Sequence, residues 1–309
     1  MLLLSKECDQ PATMTNNVKE GLCAALYMLC AGCCVQALFR VLRADANLLP
    51  SQVDVGASPV SAIFAFGDSI VDSGNTNYLA SIAKSNYWPY GCDFRQGPSG
   101  RFCNGRTVID ILGERLAIPY LPAFADPAAI GLRIIRGVNY ASAGAGILDV
   151  TSRHWALYNV GLRKFFIVGL APIGCTPNQK AARQAPEGRC ADYVNQIIGT
   201  FNEGLRSLVT QLNANHPAAI FVYFNAYGAM GDVLNNPAAY GFSVVDRACC
   251  GLGEVTCLPN AIPCPNRNQY LFWDAYHTTE AANAILAQRA FAGPPSDCYP
   301  INFQQLALI

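Results

Sequence analysis

The chain has 309 residues, 52% of them hydrophobic and only 14% charged, with 21 Lys and Arg balanced by 21 Asp and Glu. That balance offers no basic excess to neutralise phosphates and argues against a nucleic-acid partner. The apolar content rules out disorder, and a mean hydropathy of +0.20 falls far short of a multi-span membrane protein. At roughly 150 residues per domain, the length fits two domains or one large α/β domain.

Gly21 to Phe39 is a run of 19 uncharged residues broken only by Gln36, followed by Arg40, Arg43 and the small-x-small triplet Ala44-Asp45-Ala46. As a helix it would span about 28 Å, close to the hydrocarbon thickness of a bilayer. Residues 1–46 are therefore expected to form a secretory leader cut after Ala46, with an uncleaved membrane anchor over 21–39 as the alternative. The segment before the run is atypically long and carries Glu7, Asp9 and Glu20, and Met14 offers a shorter start. No Asn-x-Ser/Thr sequon is present.

Beyond this leader, Ala62 to Phe66 is a short apolar run ended by Gly67, which predicts a buried strand. Gly67-Asp68-Ser69 then stands where the strand should hand over to a helix. A serine there sits at the carboxyl edge of a sheet with its N–H facing an incoming anion; a helix-capping turn is the ordinary alternative. Tyr87, Trp88 and Tyr90 are candidates to line an acyl site or to pack a loop. Gly100 to Thr107 mimics a phosphate-binding loop with Arg106 for Lys, but no strand precedes it. Arg133 to Tyr140 is a weaker strand. After it, Asn139 to Gly146 is a loop of small residues whose backbone N–H groups suit an oxyanion site. As a dinucleotide loop it fails, with Asp149 where the third glycine belongs.

Lys164 to Leu170 and Ala219 to Phe224 predict two further strands. Between them Val194, Ile197, Ile198, Phe201, Leu205, Leu208, Val209 and Leu212 recur at helical spacing until His216-Pro217. Strands alternating with helices imply a parallel sheet covered on both faces. Nine cysteines follow residue 50 and none is paired as C-x-x-C, which disfavours zinc. Cys249, Cys250, Cys257 and Cys264, in a loop rich in Gly, Pro and Asn, suggest disulfides, and the odd count leaves one thiol, expected at Cys298. His154 and His216 have no acidic partner nearby. His277 follows Asp274 at the end of the apolar Tyr270 to Trp273, and a helix from about Thr279 to Phe291 comes next. Across so tight a turn, a carboxylate can hold the imidazole tautomer and leave Nε2 free as a base.

Ala65 to Asn75, which contains Gly67-Asp68-Ser69, resembles the first block of the GDSL esterase/lipase family, in its plant branch of secreted SGNH hydrolases. Pro89-Tyr90-Gly91, Gly100-Arg101-Phe102, Asn104 to Thr107, Gly137 to Ser142, Gly174-Cys175, Cys249-Cys250-Gly251 and Phe272 to His277 match that branch in order. The resemblance covers about residues 60–295. It implies a flavodoxin-like three-layer α/β/α sandwich with strand order 2-1-3-4-5. It also implies a Ser69 nucleophile, a His277 base oriented by Asp274, and oxyanion donors at Ser69 and Gly144. The expected activity is hydrolysis of small or lipid-like esters without metal or cofactor.

One family block is absent: the Gly-x-Asn-Asp whose asparagine would add a third oxyanion donor. Relatives place a strand and helices between the small-residue loop and the Lys164 strand, where this chain has only residues 141–162. The sequence therefore predicts one hydrolase domain over 60–309, with an internal deletion near 149–158 and a sheet lacking one central strand. The strands on either side of the gap would then close up or expose unpaired backbone. A shortened, catalytically impaired variant is the alternative to an active esterase. Thr278 replaces the proline that relatives carry after the histidine.

Overall fold

The computed structural model describes residues 2–5, 58–146, 156–159, 161–182 and 190–309. Its strands are β1 (Leu2–Ser5), β2 (Ala62–Ala65), β3 (Gly137–Asn139), β4 (Lys164–Val168), β5 (Ile220–Phe224), β6 (Val244–Ala248), β7 (Tyr270–Phe272) and β8 (Cys298–Tyr299). The α-helices are α1 (Val108–Arg115), α2 (Ala156–Asn159), α3 (Pro177–Ala181), α4 (Asp192–Asn215), α5 (Ala226–Asn235), α6 (Glu280–Ala292) and α7 (Phe303–Leu308).

Six strands form one sheet in the order β3-β2-β1-β4-β5-β8. The pairs β2–β3 and β4–β5 are parallel, and β8 runs antiparallel to β5. Side chains alternate across the sheet. Ile63, Phe166, Val222 and Phe224 pack under α1, α6 and α7, whereas Phe165, Phe221 and Tyr223 pack with Leu205, Val209 and Leu212 of α4. This is the expected three-layer arrangement, with both faces of a mixed sheet covered.

The sheet corrects the prediction of a missing central strand. In the expected order, β3, β2, β4 and β5 hold the second, first, fourth and fifth strand positions, and β1 fills the third. It lies antiparallel to both neighbours: Leu2 pairs with Ala65 and Phe166, and Leu4 with Ile63 and Lys164. A gap left by one strand is one strand wide, so an extended tetrapeptide satisfies both rows of backbone groups without closing the sheet. This placement bears on the amino terminus. Cleavage after Ala46 would detach β1, and a membrane-crossing helix over 21–39 would put β1 and β2 on opposite sides of the bilayer. Residues 21–46 lie outside the described residues. Among those described, no helix is long and apolar enough to cross a membrane.

Smaller departures have local causes. The expected strand over Arg133–Tyr140 is confined to Gly137–Asn139, because Gly131–Ile134 winds into a 3-10 turn. The long helix is α4, but its apolar stripe is wider than the face it buries, with Ile197 68% exposed. His216 caps its end between the rings of Tyr158 and Phe221, a packing role. His154 lies outside the described residues. Disulfides join Cys175 to Cys190, Cys249 to Cys264 and Cys250 to Cys257. Cys298 is free as expected, but Cys92 and Cys103 are free too. Burial pushes the Cys103 and Cys298 thiols up to about 12, so they remain protonated.

Leu3 pairs with Phe64 on one side and Phe165 on the other, so its N–H faces one ladder or the other. Leu3→Pro is therefore expected to remove one bond and destabilise the protein by at least ~1 kcal/mol. A lower urea midpoint checks this, and an unchanged midpoint would mean that the sheet stands without β1.

Candidate active site

Ser69 follows β2 in a tight turn. Asp68 builds the turn, with its Oδ1 accepting the Ile70 N–H at 3.0 Å and its carbonyl the Val71 N–H at 3.4 Å. The helix expected here is absent; the next element is a single 3-10 turn over Asn75–Tyr78. An Asx turn satisfies the backbone that a first helical turn would otherwise have engaged.

A buried polar cluster locks this turn to the 139–146 loop. Asp72 Oδ1 accepts the N–H groups of Gly74 and Asn75, each at 2.7 Å. Its Oδ2 accepts the Thr76 hydroxyl and, at 3.2 Å, the Ala143 N–H. Asn75 Nδ2 donates to the carbonyls of Asn139 and Ala141 at 2.8 Å, and Asn139 Nδ2 donates back to the Val71 carbonyl at 2.6 Å. Gly74 is fixed by need: its φ is +127°, and a Cβ would lie 2.5 Å from the Ser99 carbonyl oxygen. The Ser142 N–H donates to the Gly67 carbonyl at 3.1 Å, which brings the loop carrying Gly144 alongside Ser69. Gly144 is exposed at φ +83°. Among the described residues, nothing accepts from the backbone N–H of either Ser69 or Gly144.

His277 arrives from a different sheet. β7 pairs in parallel with β6, and the Trp273 N–H donates to the His277 carbonyl at 2.7 Å, closing the turn that holds both Asp274 and His277. Asp274 Oδ1 accepts the N–H groups of Tyr276 and His277 at 2.9 Å. His277 Nδ1 lies 2.8 Å from both carboxylate oxygens, and Nε2 lies 2.8 Å from Ser69 Oγ. Behind the turn, Asn104 Oδ1 accepts the Glu280 N–H at 2.8 Å and Asn283 Nδ2 donates to the Arg106 carbonyl at 2.9 Å, so the decoy loop braces α6. Within it Arg101 forms a buried pair with Asp110 at 2.7 Å, a structural role. Thr278 bridges back to Phe272, and Thr279 caps α6 in the absence of a proline.

Asp274 is wholly buried. Burial alone would raise its carboxyl, but the His277 ring and the hydrogen bonds converging on it prevail and hold it below the ordinary carboxylate range. One of those donors was not legible as such: the Tyr90 hydroxyl, 2.6 Å from Oδ2. Of the three candidate aromatics, Tyr90 is buried against Asp274, Tyr87 donates to the Cys257 carbonyl at 2.7 Å, and Trp88 is 49% exposed. The supporting roles of Asp72, Asn75 and Thr76 were equally hidden, although the first two stand within the Ala65–Asn75 block and the third directly follows it. Among the described residues, no group of three or more His, Cys, Asp or Glu side chains is placed to hold a metal ion.

Comparison with known proteins points the same way. The family model described as GDSL-like Lipase/Acylhydrolase matches residues 63–155 and 147–290. The chain is 44% identical to GDSL esterase/lipase At1g71250 of Arabidopsis thaliana, over 88% of this chain and 96% of that one. It is 41% identical to GDSL esterase/lipase At5g08460 from the same plant, over 80% and 87%. The first alignment runs for 357 positions, longer than this whole chain, so that relative carries several tens of residues with no counterpart here. With most of its length matched in this way, the chain belongs to the GDSL lipase/acylhydrolase family and is a carboxylic ester hydrolase.

Proposed function

We propose that ester hydrolysis proceeds through Ser69, His277 and Asp274 by way of an acyl-enzyme. The observation that carries this reading is the 2.8 Å approach of His277 Nε2 to Ser69 Oγ, made across 208 positions of sequence. The imidazole takes the Ser69 proton as Oγ attacks the ester carbonyl. The tetrahedral oxyanion is received by the backbone N–H groups of Ser69 and Gly144. The imidazolium then gives its proton to the departing alkoxide. Water, activated by the same nitrogen, releases the acid and restores Ser69. Ionised Asp274 keeps the proton of the resting ring on Nδ1 and stabilises the imidazolium in between.

A second reading is a shortened, catalytically impaired variant, favoured by the excess length of the relative's alignment and by the absent Gly-x-Asn-Asp block. On this reading the deletion lies near 149–158 within the 60–309 hydrolase domain. The family match breaks at the same place, where its two stretches overlap over 147–155. Loss of one oxyanion donor typically slows turnover by about 10²–10³, which separates a slow enzyme from an inert one.

We also infer export from the cell. Three disulfides suit an oxidising compartment, and the uncharged run over 21–39 suits a targeting segment. Export with cleavage and a sheet closed by β1 are alternatives, since one removes the other.

Hydrolysis of a short-chain nitrophenyl ester is expected to fall at least ~100-fold in Ser69→Ala; equal rates for the two proteins would favour the impaired variant. Because the Asp274 carboxyl is lowered in the fold, its contribution to stability is present above the unfolded value of about 3.9 and is lost as pH falls through the lower folded value. Melting of Asp274→Asn should accordingly depend less on pH between about 6 and 3 than melting of the native chain. Amino-terminal sequencing of exported material separates these alternatives: a chain reading from Asn47 would mean cleavage and a sheet without β1, whereas one beginning before residue 40 would defeat the cleavage.

A further inference from the structure

The Asp274 carboxylate depends on a donor from outside the serine–histidine pair. Tyr90 is wholly buried. Its O–H donates to Asp274 Oδ2 at 2.6 Å, while its oxygen accepts the Cys257 N–H at 3.0 Å. Cys257 is bonded to Cys250, whose own N–H donates at 2.7 Å to the carbonyl of Trp273, the residue before Asp274. The rings of Tyr87, Phe102 and Trp273 pack edgewise on the phenol at 5.5, 5.9 and 6.4 Å. A covalently closed loop thus grips both the phenol and the strand end that carries the carboxylate.

The two carboxylate oxygens are loaded differently. Oδ1 is fixed by the N–H groups of Tyr276 and His277, whereas among the described residues Oδ2 meets only side chains, the Tyr90 hydroxyl and His277 Nδ1. A short hydrogen bond to an anion is charge-assisted and draws on the same negative charge that would otherwise steady the imidazolium. Burial, reinforced by the neighbouring carboxylate, pushes the phenol well above its ordinary value, so it remains the donor.

We propose that Tyr90 is a positioning residue of this centre, acting through Asp274 to hold the His277 ring and to set the pH below which His277 ceases to be a base. The proposal rests on the Ser69–His277–Asp274 reading given above. Withdrawing charge from Asp274 leaves the imidazolium less stabilised, so the basic ring persists to lower pH. The groups facing this pair are few in kind. Tyr87 joins Tyr90 and His277 around Asp274. Ser69, Phe102 and Tyr276 border the imidazole. Glu280, three residues further on, is paired with Arg106 at 2.6 Å. Cys250 and Cys257 are tied in their disulfide and do not titrate.

The test is a ¹⁵N-histidine titration of the full chain by NMR, with the His277 signal assigned by its loss in His277→Gln. In Tyr90→Phe the two backbone donors still pin Oδ1, the charge concentrates on the carboxylate, and the His277 midpoint should rise by about half to one pH unit. Nitrophenyl-ester kcat/KM, measured one pH unit below the native midpoint, should fall roughly threefold to tenfold and stay within about twofold on the plateau. Replacing Tyr90 by 3-fluorotyrosine, a more acidic phenol of nearly the same shape, should move the midpoint the other way; it decides the matter if Tyr90→Phe does not fold. Midpoints that stay put in both variants, or a plateau loss without movement of the midpoint, would overturn the proposal. Absence of hydrolysis by the native chain would count against the Ser69 reading, while the titration would still decide the role of Tyr90.

Discussion

A carboxylate removed from water destabilises a fold unless its lone pairs meet donors, and Asp274 has no exposure at all. Two backbone N–H groups, one phenol and one imidazole satisfy it. Each of these ties a separate part of the molecule to one point. The backbone donors define the turn after β7, and the phenol brings in the Pro89-Tyr90-Gly91 segment together with the Cys250–Cys257 loop. The imidazole reaches across to the turn after β2. The arrangement of Ser69, His277 and Asp274 is in this sense a by-product of satisfying a buried charge.

The same logic repeats on the serine side. Asp72 is also wholly buried, and its oxygens collect N–H groups from Gly74, Asn75 and Thr76 and from Ala143 in the distant small-residue loop. Asn75 and Asn139 then exchange bonds with the backbone of each other's loops. Ser69 itself takes part in none of this. Among the described residues its hydroxyl meets only the imidazole, and its position follows from the polar cluster beneath it. Two internally satisfied turns from two sheets therefore face each other, and they set Ser69 Oγ and His277 Nε2 2.8 Å apart.

Completion of the sheet is a separate matter. The gap between β2 and β4 holds Leu2–Ser5 in the reverse direction to both neighbours. Antiparallel ladders satisfy the backbone as fully as parallel ones, so the direction of a four-residue insert matters less than its presence. Support for β2, and through it for the Ser69 turn, thus comes partly from residues that lie upstream of a leader-like run. The hydrolase and its amino terminus are coupled by the sheet itself.

Much of this was legible in the sequence. The apolar runs at 62–66, 164–170 and 219–224, the periodic helix over 194–212 and the Asp274–His277 spacing are local patterns, and local patterns follow from side-chain period and turn chemistry within a few residues. Ser69 was legible for the same reason, as the residue lifted from the end of an apolar strand. What lay beyond the sequence was long-range pairing. Nothing near Leu3 announces a partner at Phe64 or Phe165, and nothing near Tyr90 announces a carboxylate 184 positions away. The free thiols at Cys92 and Cys103 were equally hidden, since pairing depends on where the chain carries each sulfur and parity of number is no guide to it. Sequence alone marked Ser69, Asp274 and His277 as candidates and located the strands near 62–66, 164–170 and 219–224 and the long helix between the last two. Tertiary structure decided which strand fills the gap and which donors surround the buried acid, because those outcomes depend on unsatisfied polar groups that exist only once the chain has been brought together.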